Sequence, residues 1–242
     1  MAPQQIDIMR QGTEHGIADH SDPRRVAALF DLDRTITRQG TFTPFLMTVV
    51  RDRPAKALHV VPIAAAAARY RLGLISRKRL KEIMLTRILG GLDRREVASY
   101  ANAFVAEWCQ SGLRPGARRA LADHKAAGHL LVLATASMDF YAEAFGQKLG
   151  FDAVVATKSV WDRSGRLSGL IEGENCYGDA KLRAIQQALP RLRQEFRLIS
   201  YSDHHTDAPL LRWTDAAVAI EPTRKLRAIA DSEGFETQDW DR

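Results

Sequence analysis

Acidic side chains are scarce over one long segment of this 242-residue chain: residues 38–118 hold 5 Asp/Glu against 15 Lys/Arg, while the rest holds 24 against 20. The net charge of +6 is thus concentrated there, as a solvated helical surface or as a face that meets anions. Nucleic acid is the least fitting of those anions, because no binding motif or aromatic-basic ladder accompanies the charge. Cysteine is scarce too. Cys109 and Cys176 are far apart and lack metal-ligand spacing, which excludes a disulfide-built secreted scaffold. The first 24 residues are polar and contain no apolar signal-peptide core, so a loose tail over 1–24 and a cytoplasmic protein are expected. No long apolar run occurs. The nearest, "ALHVVPIAAAAA" at 57–68, has 12 residues interrupted by His59 and Pro62, against the ~20 a membrane span takes. No internal repeat is visible.

What remains is ordinary globular material, 45% hydrophobic and 26% charged, of a length that suits one large domain or a core carrying an insert. Outside the basic segment, short apolar runs alternate with helical patterns. Strands are expected at Val26–Phe30, His129–Thr135, Asp152–Ala156, Phe196–Ser202 and Ala216–Ile220, and helices at Phe140–Leu149, Gly178–Leu189, Ala208–Trp213 and Thr223–Ser232. Several strands are apolar on both faces, as in a parallel sheet covered on both sides. "SVWDRSGRLSGLIEG" (159–173) reads as a hairpin turning at Ser164-Gly165. The expected fold is α/β, a doubly wound parallel sheet. Residues 38–118 show helical spacing with breaks at Gly90-Gly91 and Gly112 and no strand. They predict a helical cap over the carboxyl edge of the sheet, with 25–37 and 119–242 as the core domain.

The first strand ends in "FDLDRT", placing Asp31 and Asp33 one residue apart with Thr35 beyond them. Neighbouring carboxylates repel and lose hydration when buried, so the pair needs a reason. Further polar groups follow other strands: Thr135 and Ser137 in "LATAS", and Asp203 and Asp207 in "SDHHTD". Lys181 opens a helix. All fall at one edge of a parallel sheet. Carboxylate oxygens with open positions suit Mg²⁺, which also binds substrate phosphate and cancels the repulsion.

These four segments, in this order, resemble the signature motifs of the haloacid-dehalogenase-like phosphatases over nearly all of residues 25–235. The resemblance implies that Asp31 is the nucleophile, forming an aspartyl-phosphate, and that Asp33 is the acid and base. Asp31, the backbone carbonyl of Asp33, and Asp203 would hold Mg²⁺. Thr135, Ala136 and Lys181 would bind phosphate oxygens, with Asp207, Thr35 and Ser137 in support. Three positions depart from the pattern. Arg34 stands where glycine is frequent, and solvent is the favoured destination for its side chain. His204 and His205 fall inside the fourth motif and are expected to shape the loop. Lys181 lies four residues beyond Tyr177, where some relatives place the lysine, a shift expected to keep the same helix face.

The helical insert points to the phosphoserine-phosphatase-like branch, subfamily IB. Gly40, however, occupies the position of the glutamate that grips the amine in enzymes acting on phosphoserine. The pattern "TFTPFL" (41–46), "RDRP" (51–54) and the apolar 57–68 stretch is closer to the bacterial phosphatidylglycerophosphate phosphatase of the superfamily. It implies a lipid phosphate, with Arg51, Arg53, Lys56, Arg69 and Arg71 meeting anionic headgroups at the inner membrane face. A buried cap helix and a soluble phosphomonoester substrate are the rival expectation. Transfer to an alcohol in place of water fits the same residues. Outside enzymes, the alternative is a binding protein that kept the fold without the activity, although no motif is missing.

Overall fold

A computed structural model describes residues 24–242; the loose tail expected over 1–24 lies, Arg24 apart, outside the described residues. Eight strands are present among them: β1 (Arg25–Phe30), β2 (Leu130–Met138), β3 (Ala153–Thr157), β4 (Ser159–Trp161), β5 (Leu167–Ile171), β6 (Phe196–Ser202), β7 (Ala216–Ile220) and β8 (Glu236–Gln238). Six form one parallel sheet in the order β3-β2-β1-β6-β7-β8, and β4 and β5 form a separate antiparallel pair.

Period-2 alternation divides each central strand between two cores. Ala28 and Phe30 of β1, with Leu131 and Leu133 of β2, enter one cluster. Ala27 and Leu29, with Leu130, Val132 and Ala134, enter the other. Helices cover both faces, as the apolar runs require. Helix α5 (Pro115–Ala126) and α6 (Asp139–Leu149) supply Leu121, Tyr141 and Phe145 to the first cluster. Helix α7 (Asp179–Ala188), the short α8 (Leu192–Glu195) and α9 (Ala208–Trp213) supply Ile185, Leu192 and Leu210 to the second. Helix α10 (Arg224–Glu233) closes the β7 side through Leu226 and Ala230.

The doubly wound expectation holds, with differences at the edges. β8 carries no apolar run, and its pattern is exposed or half-buried throughout, so no hydrophobic signal marked it. β2 runs on through Met138, three residues beyond the predicted end.

Four α-helices lie between β1 and α5: α1 (Phe42–Asp52), α2 (Val60–Arg71), α3 (Arg77–Ile88) and α4 (Arg94–Ser111), with a 3-10 turn at Pro54–His59 joining the first two. Asp93 and Glu96 form a capping box at the start of α4, satisfying amide donors that a helix start leaves free. The β4–β5 hairpin fastens this helical region to the sheet. Leu167 N–H donates to Leu92 and Gly91 N–H to Leu167 (2.9 Å each). Gly169, at φ +82°, passes so close to Thr86 that a Cβ would lie 2.4 Å from its backbone, which only glycine permits. Among the described residues, no helix is long and apolar enough to cross a membrane.

Candidate active site

β1 and β6 are neighbours from which the chain winds outward in opposite directions, the place where such sheets leave a crevice beyond their carboxyl ends. Asp31 follows β1 there, and its N–H donates to Tyr201 of β6 (3.0 Å). A tight turn over Leu32–Ile36 then carries Asp33 to the same edge. It needs a left-handed residue, supplied by Arg34 at φ +65°. That conformation favours glycine, which gives the departure at this position a backbone cause. The Arg34 side chain is exposed on the cavity rim.

Lys181 sits in the first turn of α7, 2% exposed, with its Nζ donating to Asp31 Oδ1 (2.8 Å) and Asp207 Oδ2 (2.7 Å). Ser202 Oγ donates to the same Asp207 oxygen (2.7 Å). Thr35 Oγ1 accepts from Asp203 N–H (3.0 Å), and its proton can go to Asp31 Oδ2 (3.5 Å) or Asp203 Oδ1 (3.4 Å). Asp33 is held separately. Its Oδ1 accepts from Thr41 N–H and Oγ1 (2.6 Å each), its Oδ2 from Ser137 Oγ (2.8 Å), and Tyr141 OH donates to Ser137 (2.7 Å). Asp31, Asp33, Lys181, Asp203, Asp207 and Ala136 all face one cavity of about 540 Å³.

Thr135 does not line that cavity. It is fully buried, and its hydroxyl accepts from Ser137 N–H (3.0 Å). Nor does Tyr177 share a helix with Lys181, the arrangement that the four-residue spacing predicts. Tyr177 precedes α7, separated from it by Gly178 at φ +61°, so it shares no helix face with Lys181. Its ring lies instead under the Arg77 guanidinium (4.3 Å). His204 Nδ1 meets Thr206 Oγ1 (2.8 Å) and caps the turn before α9, so it shapes the loop, and burial pushes its pKa down.

Three carboxylates, Asp31, Asp203 and Asp207, are buried around one ammonium. Burial pushes Asp31 up to about 8; Lys181 opposes this, and Asp207, Asp203 and Asp33 add to it. Asp203 rises to about 6, chiefly by burial and then by Asp207. Burial alone would lower Lys181, but Asp207 and Asp31 outweigh it and hold it far above its ordinary value. The site therefore carries surplus negative charge on hard oxygen donors. Among the described residues, no group of three His, Cys, Asp or Glu side chains is arranged to hold a metal ion by itself. Asp31 and Asp203 bring carboxylate oxygens to one open cavity, a donor chemistry compatible with Mg²⁺, which prefers oxygen and keeps waters of its own.

Lys81 of α3 was not anticipated. Its Nζ donates to Ala136 O (2.5 Å) and Asn175 Oδ1 (3.0 Å), and burial pushes it down to about 8, partly offset by Asp33. Helical spacing puts Lys81 on one stripe with Arg77 and the buried Leu85 and Ile88, with Arg79 on the opposite face. Lys81, nearer the middle of that stripe, is buried, whereas Arg77 in the first turn is exposed.

A family model for haloacid dehalogenase-like hydrolases matches residues 28–212. The chain is 28% identical over 232 residues to the "Inhibition of morphological differentiation protein" of Streptomyces azureus, covering 94% of this chain and 82% of that one. It is 25% identical over 222 residues to a phosphoserine phosphatase of Mycobacterium tuberculosis, covering 88% and 70%. A crystal structure of a Bordetella pertussis protein of unknown function superposes with a TM-score of 0.80 at 27% identity, covering 90% of this chain and 99% of that one. With these motifs at these strand ends, the chain belongs to the haloacid dehalogenase-like hydrolase family.

Proposed function

We propose that this protein is a Mg²⁺-dependent phosphatase that hydrolyses a phosphomonoester through a phosphorylated Asp31. One observation carries the reading: Asp31 is paired with Lys181 at the floor of a cavity while Asp33 is fixed beside it by hydroxyl groups. A carboxylate oxygen of Asp31 attacks phosphorus, and the leaving alkoxide takes a proton from Asp33. Asp33 then removes a proton from water, which attacks the same phosphorus, releases inorganic phosphate and regenerates Asp31. Lys181 offsets charge on Asp31 and on the phosphoryl oxygens. Ala136 on the cavity wall leaves the backbone beside it within reach of phosphate, and Thr135 supports that loop from beneath. Asp31, the Asp33 carbonyl and Asp203 would hold Mg²⁺, which when bound polarises the phosphate oxygens. Thr35 and Asp207 orient the carboxylates and the ammonium. Helices α1–α4 are the cap, and the subfamily is IB.

A lipid phosphate such as phosphatidylglycerophosphate is the proposed substrate. Supporting it, Leu58, Val61, Leu72 and Leu74 are 81%, 76%, 73% and 65% exposed, beside Arg69, Arg71 and Lys56. Apolar side chains ringed by cations suit the headgroup layer of an anionic membrane, at its inner face. The second reading is a small soluble phosphomonoester, favoured by the similarity to a phosphoserine phosphatase. Phosphate release decides between them, measured with Mg²⁺ and with EDTA from phosphatidylglycerophosphate in mixed micelles beside soluble esters. Preference for the lipid supports the first reading and preference for a soluble ester the second. No EDTA-sensitive release from any ester overturns the phosphatase assignment.

A further inference from the structure

The cavity above Asp31 continues beneath α3 into a second lobe of about 320 Å³. Asp33, Phe42, Arg77 and Ala136 belong to both walls. A phosphoryl group seated on Asp31 would direct its alcohol portion past Asp33, which protonates the leaving oxygen and stands where the two lobes join. The second lobe is therefore where the leaving group lies, and its chemistry selects the substrate.

That chemistry is cationic and apolar. Lys81 is buried in the lobe wall with its Nζ on two neutral acceptors, the Ala136 carbonyl and the Asn175 amide oxygen. Two of its three protons are used, and the ammonium lies 5.1 Å from the Phe42 ring. Arg77 projects over Tyr177. Among the described residues, neither Lys81 nor Arg77 forms an ion pair with a carboxylate, although Lys78 and Arg79 on the same helix both reach Glu82. The lobe's one acid is Asp33, whose two oxygens are already engaged by Thr41 and Ser137. A buried ammonium without a counter-ion is costly; Lys81 is such a group, and the exposed Arg77 lines the same lobe, giving it two cations and no uncommitted acid. An ammonium-bearing leaving group would meet repulsion and find no free carboxylate.

We infer that the lobe under α3 is the seat of a second anionic group on the substrate, a phosphate, phosphodiester or carboxylate bound by Lys81 and Arg77. The inference rests on the phosphatase reading and narrows it to phosphomonoesters whose alcohol portion is itself an anion. Phe42, Leu80 and Met84 line the remaining wall, so the spacer between the two anions is carbon-rich. Tyr70 stands at the lip of the lobe, half-way to solvent, where α2 leads to the exposed Leu72 and Leu74. Anything attached beyond the second anion leaves over that edge.

The test compares kcat/KM for propyl phosphate with that for propane-1,3-diol bisphosphate, with p-nitrophenyl phosphate as a reporter of the chemistry. The wild type is expected to favour the bisphosphate by about 10- to 100-fold, the scale of a hydrogen bond to a charged partner. R77M and K81M should each collapse that preference at least several-fold more than they lower p-nitrophenyl phosphate turnover. Because K81M also removes the contact with Ala136, R77M decides if K81M fails to fold. Turnover of p-nitrophenyl phosphate with equal kcat/KM for the two propyl esters, or an unchanged preference in R77M, overturns the inference and leaves the phosphatase reading standing. No turnover of any probe overturns both. Phosphatidylglycerophosphate in micelles and its deacylated headgroup, run beside these, assign the second anion to a lipid or to a soluble metabolite.

Discussion

Replacing Lys181 by methionine keeps the length of the side chain and removes its charge. Two hydrogen-bonded ion pairs vanish, at 2.8 Å to Asp31 and 2.7 Å to Asp207. The carboxylates stay buried, with Asp203 close by. Removing one partner of a buried pair costs ~3–5 kcal/mol when the other remains charged. At ~2–4 °C per kcal/mol for a chain of this size, the melting temperature should fall by about 6–20 °C. The loss must depend on pH. In the metal-free wild type the Asp31 carboxyl is held up to about 8 from the ordinary 3.8. A raised pKa means the folded state keeps a proton the unfolded chain gives up. That stability is fully present below about pH 4 and is lost as the pH rises through about 8. Without the ammonium the carboxyl rises further, so the deficit widens with pH. Thermal unfolding of both proteins in EDTA, followed by circular dichroism at about pH 5 and about pH 8, reads this directly. The Tm difference at the lower pH should be less than about half that at the higher. Equal differences at both values would refute the electrostatic account of the site.

Asp31→Asn removes one of three crowded carboxylates, so it should abolish phosphate release without lowering the metal-free Tm near neutral pH; a fall of several degrees contradicts the surplus-charge reading. Thr41→Val removes the hydroxyl at 2.6 Å from Asp33 and should cut kcat by ~10- to 100-fold with KM little changed, measured by steady-state kinetics. Gly169→Ala combines φ +82° with a 2.4 Å approach to Thr86, so urea denaturation should show a loss of at least ~1–3 kcal/mol. Mg²⁺ should raise the Tm more at about pH 8 than at about pH 5, because the carboxyl oxygens must lose protons before they hold a cation.

The parallel sheet was legible because each central strand is apolar on both faces, a pattern that amphipathic helices do not produce. The carboxyl-edge pair Asp31 and Asp203 was legible for a related reason: each follows such a run, and a parallel sheet collects those ends. Thr135 was not, because β2 continues past it and leaves it fully buried. β8 was not legible, since Glu236–Gln238 carries no apolar residue; it is placed by its pairing with β7 and by a hydrogen bond from Trp240 to Gln238. Nor was the true length of α5, whose start at Pro115 lies inside the segment read as the cap. Lys181 reaches Asp31 from the first turn of α7, not through a helix face shared with Tyr177, which lies outside the helix and faces Arg77. Lys81 was hidden among Arg77, Lys78 and Arg79. Composition cannot tell a buried cation from solvated ones; spacing to Leu85 and Ile88 sets Lys81 apart from Arg79 but not from Arg77, which shares its stripe and yet is exposed in the first turn.

The central claim is that phosphorus is transferred to Asp31. A reacting mixture of enzyme, Mg²⁺ and p-nitrophenyl phosphate, quenched in acid and treated with borohydride, tests it most directly, because borohydride reduces an acyl phosphate to an alcohol. Peptide mass spectrometry should then find homoserine at position 31, absent from the Asp31→Asn variant and from enzyme without substrate. Turnover with Asp31 unreduced, or reduction at another carboxylate, contradicts the account.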